Sequence, residues 1–458
     1  MNINAAFQWK CHPEAETLVV DILNQASQAS STISQLSEDL LQQTNTRLLD
    51  WLDYVVTSQS DHMLQKLEKA GFVSMGNGHQ HIFVHPGAQL PRVVLHSSSE
   101  IRVGLGVAVD SIVDFLMVRG EHRPIEGAQF GNFRRCLISN EGGAALWTIE
   151  RRGTLTLQPT HEDAKQITHY SQALEKWMTR PRALVDEDRA MQETLQLVRQ
   201  LVEEVGQHRA AWTVLEGERR YWQARNTAGQ IQKNRQDRLG MGWANHDHHT
   251  FRSSRRRFTQ LVHLFELLGF HCRERFYAGE EAGWGAQVME NPVCRLVLFL
   301  DVDLAPGEIA HDIAHEPLPE RDELGTIGLW CALHGDSILK AGMHHLEAQF
   351  MFEELTQDLA NRGIKMMKPF SSFPYLKQAF TVGETWPVNP DRVRLLVEQG
   401  KISAEQGEHF MVHGAIGSHL ENLQRREGYK GFNQKNVSII IKKTDPRLLE
   451  EEQDQGVY

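Results

Sequence analysis

The order in which apolar periods change after residue 240 most narrows what this chain can fold into. His248 to Arg252 alternates as a strand should, and Phe258, Leu261, Val262, Phe265 and Leu268 then recur at helical spacing until Gly269 ends the helix. Three strand candidates follow, His271 to Tyr277, Trp284 to Met289 and Cys294 to Asp301, with turn residues between them. The segment spells β-α-β-β-β. A looser copy starts with a strand at His345 to Gln349 and a helix from Met351 to Asn361 closed by Gly363. Strands are then predicted at Lys365 to Pro369, Leu376 to Val382, Gly417 to Gln424 and Val437 to Lys442, with a helical insertion over Pro387 to Gly414. Two such modules predict an α+β fold whose second half is a cupped sheet with helices outside.

A chain of 458 residues exceeds the usual single-core limit, so two or three domains are expected, with a division near residue 240 into 1–240 and 241–458. In the first part, Leu40, Leu41, Leu48, Leu49, Leu52 and Val55 predict helix over residues 15–70. The stretch from His81 to about Pro159 reads as strands, and 162–240 as helices carrying an apolar stripe at Leu195, Val198, Leu201, Val202 and Val205. This densely charged helical segment is expected to bridge two domains or to pack between subunits of a homo-oligomer. No repeat of solenoid length is visible.

The balance of 48 basic against 59 acidic residues, a net charge of −11, disfavours nonspecific attraction to nucleic acid or anionic membranes and leaves small molecules as the expected partners. Five scattered cysteines without a C-x-x-C pair encode neither a disulfide framework nor a zinc ribbon. With no signal-peptide pattern and no long apolar run, a soluble cytoplasmic protein is expected. Arg255, Arg256 and Arg257 read as a solvated helix start rather than a nucleic-acid contact.

Three distant segments carry candidate chemistry. His248, His345 and Glu421 make two histidines and a glutamate, the set that holds iron(II) while leaving positions open for substrate and dioxygen. Separations of 97 and 76 residues exclude a local loop, so the fold must assemble the site. Side chains alternate across a strand, which decides each histidine doublet. Phe251 belongs against the helices, leaving His248, Thr250 and Arg252 inward; Leu346 and Ala348 likewise leave His345, Glu347 and Gln349 inward. Glu421 shares its face with His419 and Arg425. Arg252 could hold a substrate carboxylate bidentately while a 2-oxo acid chelates the metal. Two other histidine groups, His79–His81 with His85 and His311 with His315, read as loops, and Asp301 and Asp303 as strand-ending acids facing solvent.

Paired β-α-β-β-β modules resemble the vicinal-oxygen-chelate architecture, whose metal lies inside the cup. More specifically, His248–Arg252, His345–Glu347, Leu376–Thr381 and Leu420–Arg425 with Tyr429–Phe432 resemble segments of the 2-oxoadipate dioxygenase/decarboxylase (hydroxyglutarate synthase) family over roughly residues 241–447. The resemblance implies iron ligation by His248, His345 and Glu421, carboxylate binding by Arg252, and substrate contact by Gln378, Thr381 and Arg425. It also implies a dioxygen-dependent decarboxylation and hydroxylation of a 2-oxo acid. Two alternatives share the cup: an isomerase or hydrolase using a different divalent metal without oxygen, and a ligand-binding protein without turnover.

Overall fold

Ser30 divides the opening residues into two helices. Its hydroxyl accepts from the Ile33 N–H and caps α2 (Ser31–Thr44) directly after α1 (Pro13–Ala29). A computed structural model describes residues 9–76, 81–97, 100–182, 186–279, 282–433 and 445–447. Predicted helix stops at α2 and a short turn, because the run Tyr54-Val55-Val56-Thr57 is β-branched and aromatic and enters β1 (Leu52–Ser58). Leu52 and Val55 are therefore strand residues, contrary to their helical spacing.

From β1 the chain continues through α3 (Asp61–Lys69), β2 (Val73–Ser74), β3 (His81–Val84) and β4 (Arg92–His96). It then adds β5 (Val103–Ala108), α4 (Ile112–Met117), β6 (Phe133–Glu141) and β7 (Ala144–Arg151). These strands form a sheet in the order β2-β3-β4-β1-β5-β7-β6. Four helices follow: α5 (Ala164–Thr179), α6 (Glu187–Val205), α7 (Gln207–Gln223) and α8 (Thr227–Asp237).

The second half contains β8 (His246–Arg252), α9 (Phe258–Leu267), β9 (His271–Tyr277), β10 (Trp284–Asn291) and β11 (Leu296–Asp303), then α10 (Thr326–His334). Next come β12 (His345–Gln349), α11 (Phe352–Ala360), β13 (Ser371–Phe373), β14 (Leu376–Phe380) and β15 (Glu384–Trp386). The helices α12 (Pro390–Glu398) and α13 (Ala404–His413) fill the predicted insertion before β16 (Ala415–Arg425). The sheet order is β13-β14-β16-β12-β8-β11-β10-β9, with β15 on β16. Each module thus places its first strand beside its last, in parallel, and the two first strands β8 and β12 meet antiparallel at the centre. This is the paired β-α-β-β-β cup that the sequence predicts. Predicted strand 365–369 is reduced to a single bridge from Met366 to Thr381, and Val437–Lys442 lies outside the described residues.

The first sheet repeats the plan, which periodicity in the sequence did not reveal. There β1 pairs in parallel with β4, β5 pairs in parallel with β7, and β1 and β5 meet antiparallel in the middle. Both central pairings carry one extra residue on the earlier strand, at Asp53 in the first sheet and in the Asp247–His248 step in the second.

Apolar packing joins α5–α7 to the second half in one continuous core: Trp177, Val198, Leu201 and Val214 share it with Phe251, Phe265, Leu346 and Leu420. Among the described residues no helix is long and apolar enough to cross a membrane, and Cys11, Cys136, Cys272, Cys294 and Cys331 are all unpaired.

Candidate metal centre

Because β8 and β12 are neighbours and β12 is followed in register by β16, three strands aim side chains at one point. His345 lies opposite Thr250 on β8, while Glu347 and Glu421 are partners across β12 and β16. The outcome is a buried group of His248, His345, Glu347 and Glu421 whose ligand atoms all lie within 4.8 Å of one another. His345 Nε2 is 2.7 Å from Glu347 Oε1 and 3.6 Å from Glu421 Oε2, and His248 Nε2 meets the same Glu347 oxygen. Glu347 is the member that strand alternation placed inward but did not count as a ligand candidate.

Supporting groups hold these side chains in place. His248 Nδ1–H donates to Asp247 Oδ1 at 2.9 Å, which presents Nε2 to the cluster. The extra residue on β8 lets Asp247 and His248 approach the same region, and Arg425 clamps Asp247 with bonds of 2.9 and 3.0 Å. Gln378 donates to Glu421 Oε1 at 2.9 Å, and the Thr250 hydroxyl donates to Glu347 Oε1 at 3.3 Å.

The electrostatics fit a cation. Burial holds His248 down at about 4 and His345 well below the ordinary imidazole range, so both rings are neutral. Burial also lifts Glu421 to about 7 and, with Glu421 beside it, Glu347 well above the carboxylate range. Among the described residues neither carboxylate pairs with a lysine or arginine, and Glu347 Oε2 has no hydrogen-bond partner. Neutral imidazole lone pairs facing buried carboxylates are unfavourable until a metal ion or a proton sits between them. Two nitrogens and carboxylate oxygens suit a divalent first-row metal.

Six aromatic rings, from Phe276, Trp284, Phe299, Phe370, Phe380 and Phe432, wall the cavity beside this cluster, which has a volume of about 50 Å³. Phe432 and Phe299 flank the His248 ring at 4.8 and 4.9 Å. Arg252 enters the same cavity, 2% exposed, with its guanidinium 5.4 Å from the Trp330 ring and both Nε and Nη1 lacking partners.

Of the residues singled out from sequence, His248, His345, Glu421, Arg252 and Gln378 line this cavity; Thr381 and Arg425 do not. The Thr381 hydroxyl accepts from the Leu420 N–H, and Arg425 serves Asp247. His249 turns to the helix side, where its Nε2 faces Arg219 at 3.3 Å. His344 borders the cavity with its Nδ1 engaged by the Gly417 carbonyl at 3.0 Å. Asp301 and Asp303 are buried, contrary to expectation, because β11 is an inner strand, and Asp301 lines the cavity. His315 is exposed and bonded to Asp312 and Glu266, while residues 77–80 lie outside the described residues. Arg255, read as solvated, is instead buried against Glu308, whereas Arg256 is exposed.

The first cup shows what the same plan looks like without ligands. Aligning the two extra residues puts Tyr54 at the position of His248, Gly104 at that of His345, Gly106 at that of Glu347 and Trp147 at that of Glu421. Tyr54 and Trp147 fill the space, with ring centroids 6.3 Å apart. A Cβ on Gly104 or Gly106 would come within 2.6 Å of those rings, which explains the two glycines. A larger cavity of about 720 Å³ is walled by matched ion pairs, among them Arg151–Asp53 and Arg134–Glu150. None of its lining residues belongs to the metal-ligand groups found among the described residues.

No family model matches the chain, and no curated protein matches it in sequence. Among solved structures it is similar to a triple mutant of 4-hydroxymandelate synthase from Streptomyces coelicolor, at 12% identity over 88% of this chain and 99% of that one, with a TM-score of 0.28. It is similar to methylmalonyl-CoA epimerase from Mycobacterium tuberculosis at 10% identity over 40% and 87%, with a TM-score of 0.23. The uncharacterized protein YdcJ from Shigella flexneri is similar at 12% identity over 59% and 86%, with a TM-score of 0.22. Likenesses this distant leave the chemistry to be read from the site itself.

Proposed function

We propose that this protein is an iron(II)-dependent oxygenase acting on a 2-oxo acid, with His248, His345 and Glu421 as the metal ligands. The observation that carries the reading is the buried cluster of neutral imidazoles and uncompensated carboxylates, facing a guanidinium that has donors to spare. Bound there, iron(II) would supply chelation of the 2-oxo acid and activation of dioxygen. The chain's own residues do the rest. Gln378 keeps the Glu421 carboxylate turned toward the cluster, Asp247 fixes the His248 tautomer, and Arg252 takes a substrate carboxylate in its fork. The six aromatic rings exclude water, which strengthens each charged contact inside.

Oxygen uptake by anaerobically iron-loaded protein, measured against a panel of 2-oxo acids, tests the reading. Uptake with at least one of them and loss of uptake in Arg252→Gln are expected; no uptake with any member ends the proposal. Glu347 favours a second reading, because a fourth protein ligand occupies a position an oxygenase leaves open. On that reading the site holds zinc, nickel or manganese as a Lewis acid for isomerisation or hydrolysis. Metal analysis of the purified protein separates the two.

A further inference from the structure

Asp301 and Arg252 are opposite charges buried side by side that fail to pair. They are partners in the register between β11 and β8, are 3% and 2% exposed, and line the same cavity. Yet no ion pair joins them among the described residues, and Asp301 Oδ1, Arg252 Nε and Arg252 Nη1 all lack hydrogen-bond partners. A buried guanidinium and a carboxylate this close gain strongly from a direct bond, so leaving it unmade points to a third group between them.

We propose that the third group is a substrate carboxylate, shared by the Arg252 fork and the protonated carboxyl of Asp301, so that each substrate brings one proton into the site from solvent. The inference rests on the proposed role of Arg252 and adds a proton-linked specificity residue to it. An ionised Asp301 would both repel the incoming anion and compete for Arg252; a neutral one donates a hydrogen bond to it. Burial already lifts Asp301 to about 7 despite the lowering effect of Arg252, so protonation near neutral pH costs little.

Outside the cluster of His248, His345, Glu347 and Glu421, the described residues around Asp301 offer no competing group for this proton. On its own strand Asp303 is committed to the backbone N–H groups of Gly325, Ile327 and Gly328 at 2.8, 3.0 and 2.9 Å. On α10 the Cys331 thiol is pushed well above its ordinary range by burial, and Asp445 beyond it is held by Arg447 at 2.6 Å. Facing positions on β10 are Ala286 and Trp284, without charge. The remaining titratable lining groups are His344 and the cluster of His248, His345, Glu347 and Glu421.

The test is calorimetric binding to the anaerobic, metal-loaded protein from about pH 6 to about pH 9. The two probes are 2-oxoadipate, which carries a second carboxylate, and 2-oxohexanoate, which lacks it. Because both share the metal-chelating end, their affinity ratio isolates the far carboxylate. The preference for 2-oxoadipate is expected to fall about tenfold per pH unit above roughly 7, with about one proton taken up per molecule bound at alkaline pH. Asp301→Asn, which keeps a donor and cannot ionise, should bind 2-oxoadipate without that pH dependence.

A flat ratio in the native protein overturns the inference, and so does loss of affinity at every pH in an Asp301→Asn protein that retains its thermal midpoint. Proton uptake by the native protein decides the matter if the variant does not fold. Failure of both acids to bind removes the proposed 2-oxo-acid function itself, whereas binding of both with a flat ratio removes only the proton link.

Discussion

Asp247 shows how much of a candidate metal site is decided by side chains outside the proposed ligand set. Its carboxylate is held down in pKa: burial opposes ionisation, but Arg425 and the His248 hydrogen bond outweigh it. It therefore stays ionised and keeps the proton of His248 on Nδ1. Asp247→Asn is expected to weaken metal affinity by about 10- to 100-fold, measured by competition with a chelator at a temperature where the variant remains folded, since Arg425 loses its buried partner. Glu421→Gln should go further and abolish stoichiometric metal after dialysis. Strand alternation alone was enough to choose His248 over His249 as the inward ring and to turn Arg252 toward the cup, because Phe251 packs at 5.2 Å on Phe265 of the helix layer. It could not tell that Arg425 would be consumed by Asp247, since that depends on an extra residue in β8 which no local pattern announces. Asp301 was misread for a similar reason: an acid at a strand end looks solvated until the strand is known to be internal.

At the scale of elements, the extra residue in β1 has a stability role. It brings Asp53 between Arg92 of β4 and Arg151 of β7, at 2.9 and 2.6 Å, deep under the first sheet. Burial alone would raise the Asp53 carboxyl, but Arg151 and then Arg92 pull it far below the ordinary range. A folded-state value lower than the unfolded one means this contribution is complete above the unfolded pKa of about 3.9 and is lost as pH falls toward the folded value. Asp53→Asn should cost about 3–5 kcal/mol at neutral pH by stranding two guanidinium groups, and its unfolding midpoint in urea should depend less on acid pH than that of the native protein. The strands and helices of 246–303 were readable because each is bounded by glycine or turn residues. Leu52 and Val55 were not, because leucine and valine at three- and four-residue steps serve a helix and a buried strand equally well.

For the whole molecule, the duplicated cup separates folding from chemistry. The first cup is closed by Tyr54 and Trp147 over two glycines, whereas the second carries histidines and carboxylates at the same positions. Trp147→Ala should destabilise the protein by about 3–5 kcal/mol, read by thermal or denaturant unfolding, without altering metal content at temperatures where it remains folded. The duplication was invisible in sequence because the positions that correspond carry unrelated chemistry: tyrosine against histidine, glycine against histidine, tryptophan against glutamate. Only the strand order and the matching extra residues expose it.

The aromatic wall has a kinetic consequence. A space of about 50 Å³ compares with roughly 300 Å³ for the smallest ordinary ligand pockets, so the cavity is too small to take the proposed 2-oxo acid as it stands. The strands that bear the proposed ligands sit in the middle of the sheet, paired on both edges, where opening costs most. A ligand larger than this space needs the phenylalanine rings to swing aside, and the expected consequence is an association rate below the diffusional limit, set by the motion of a few side chains.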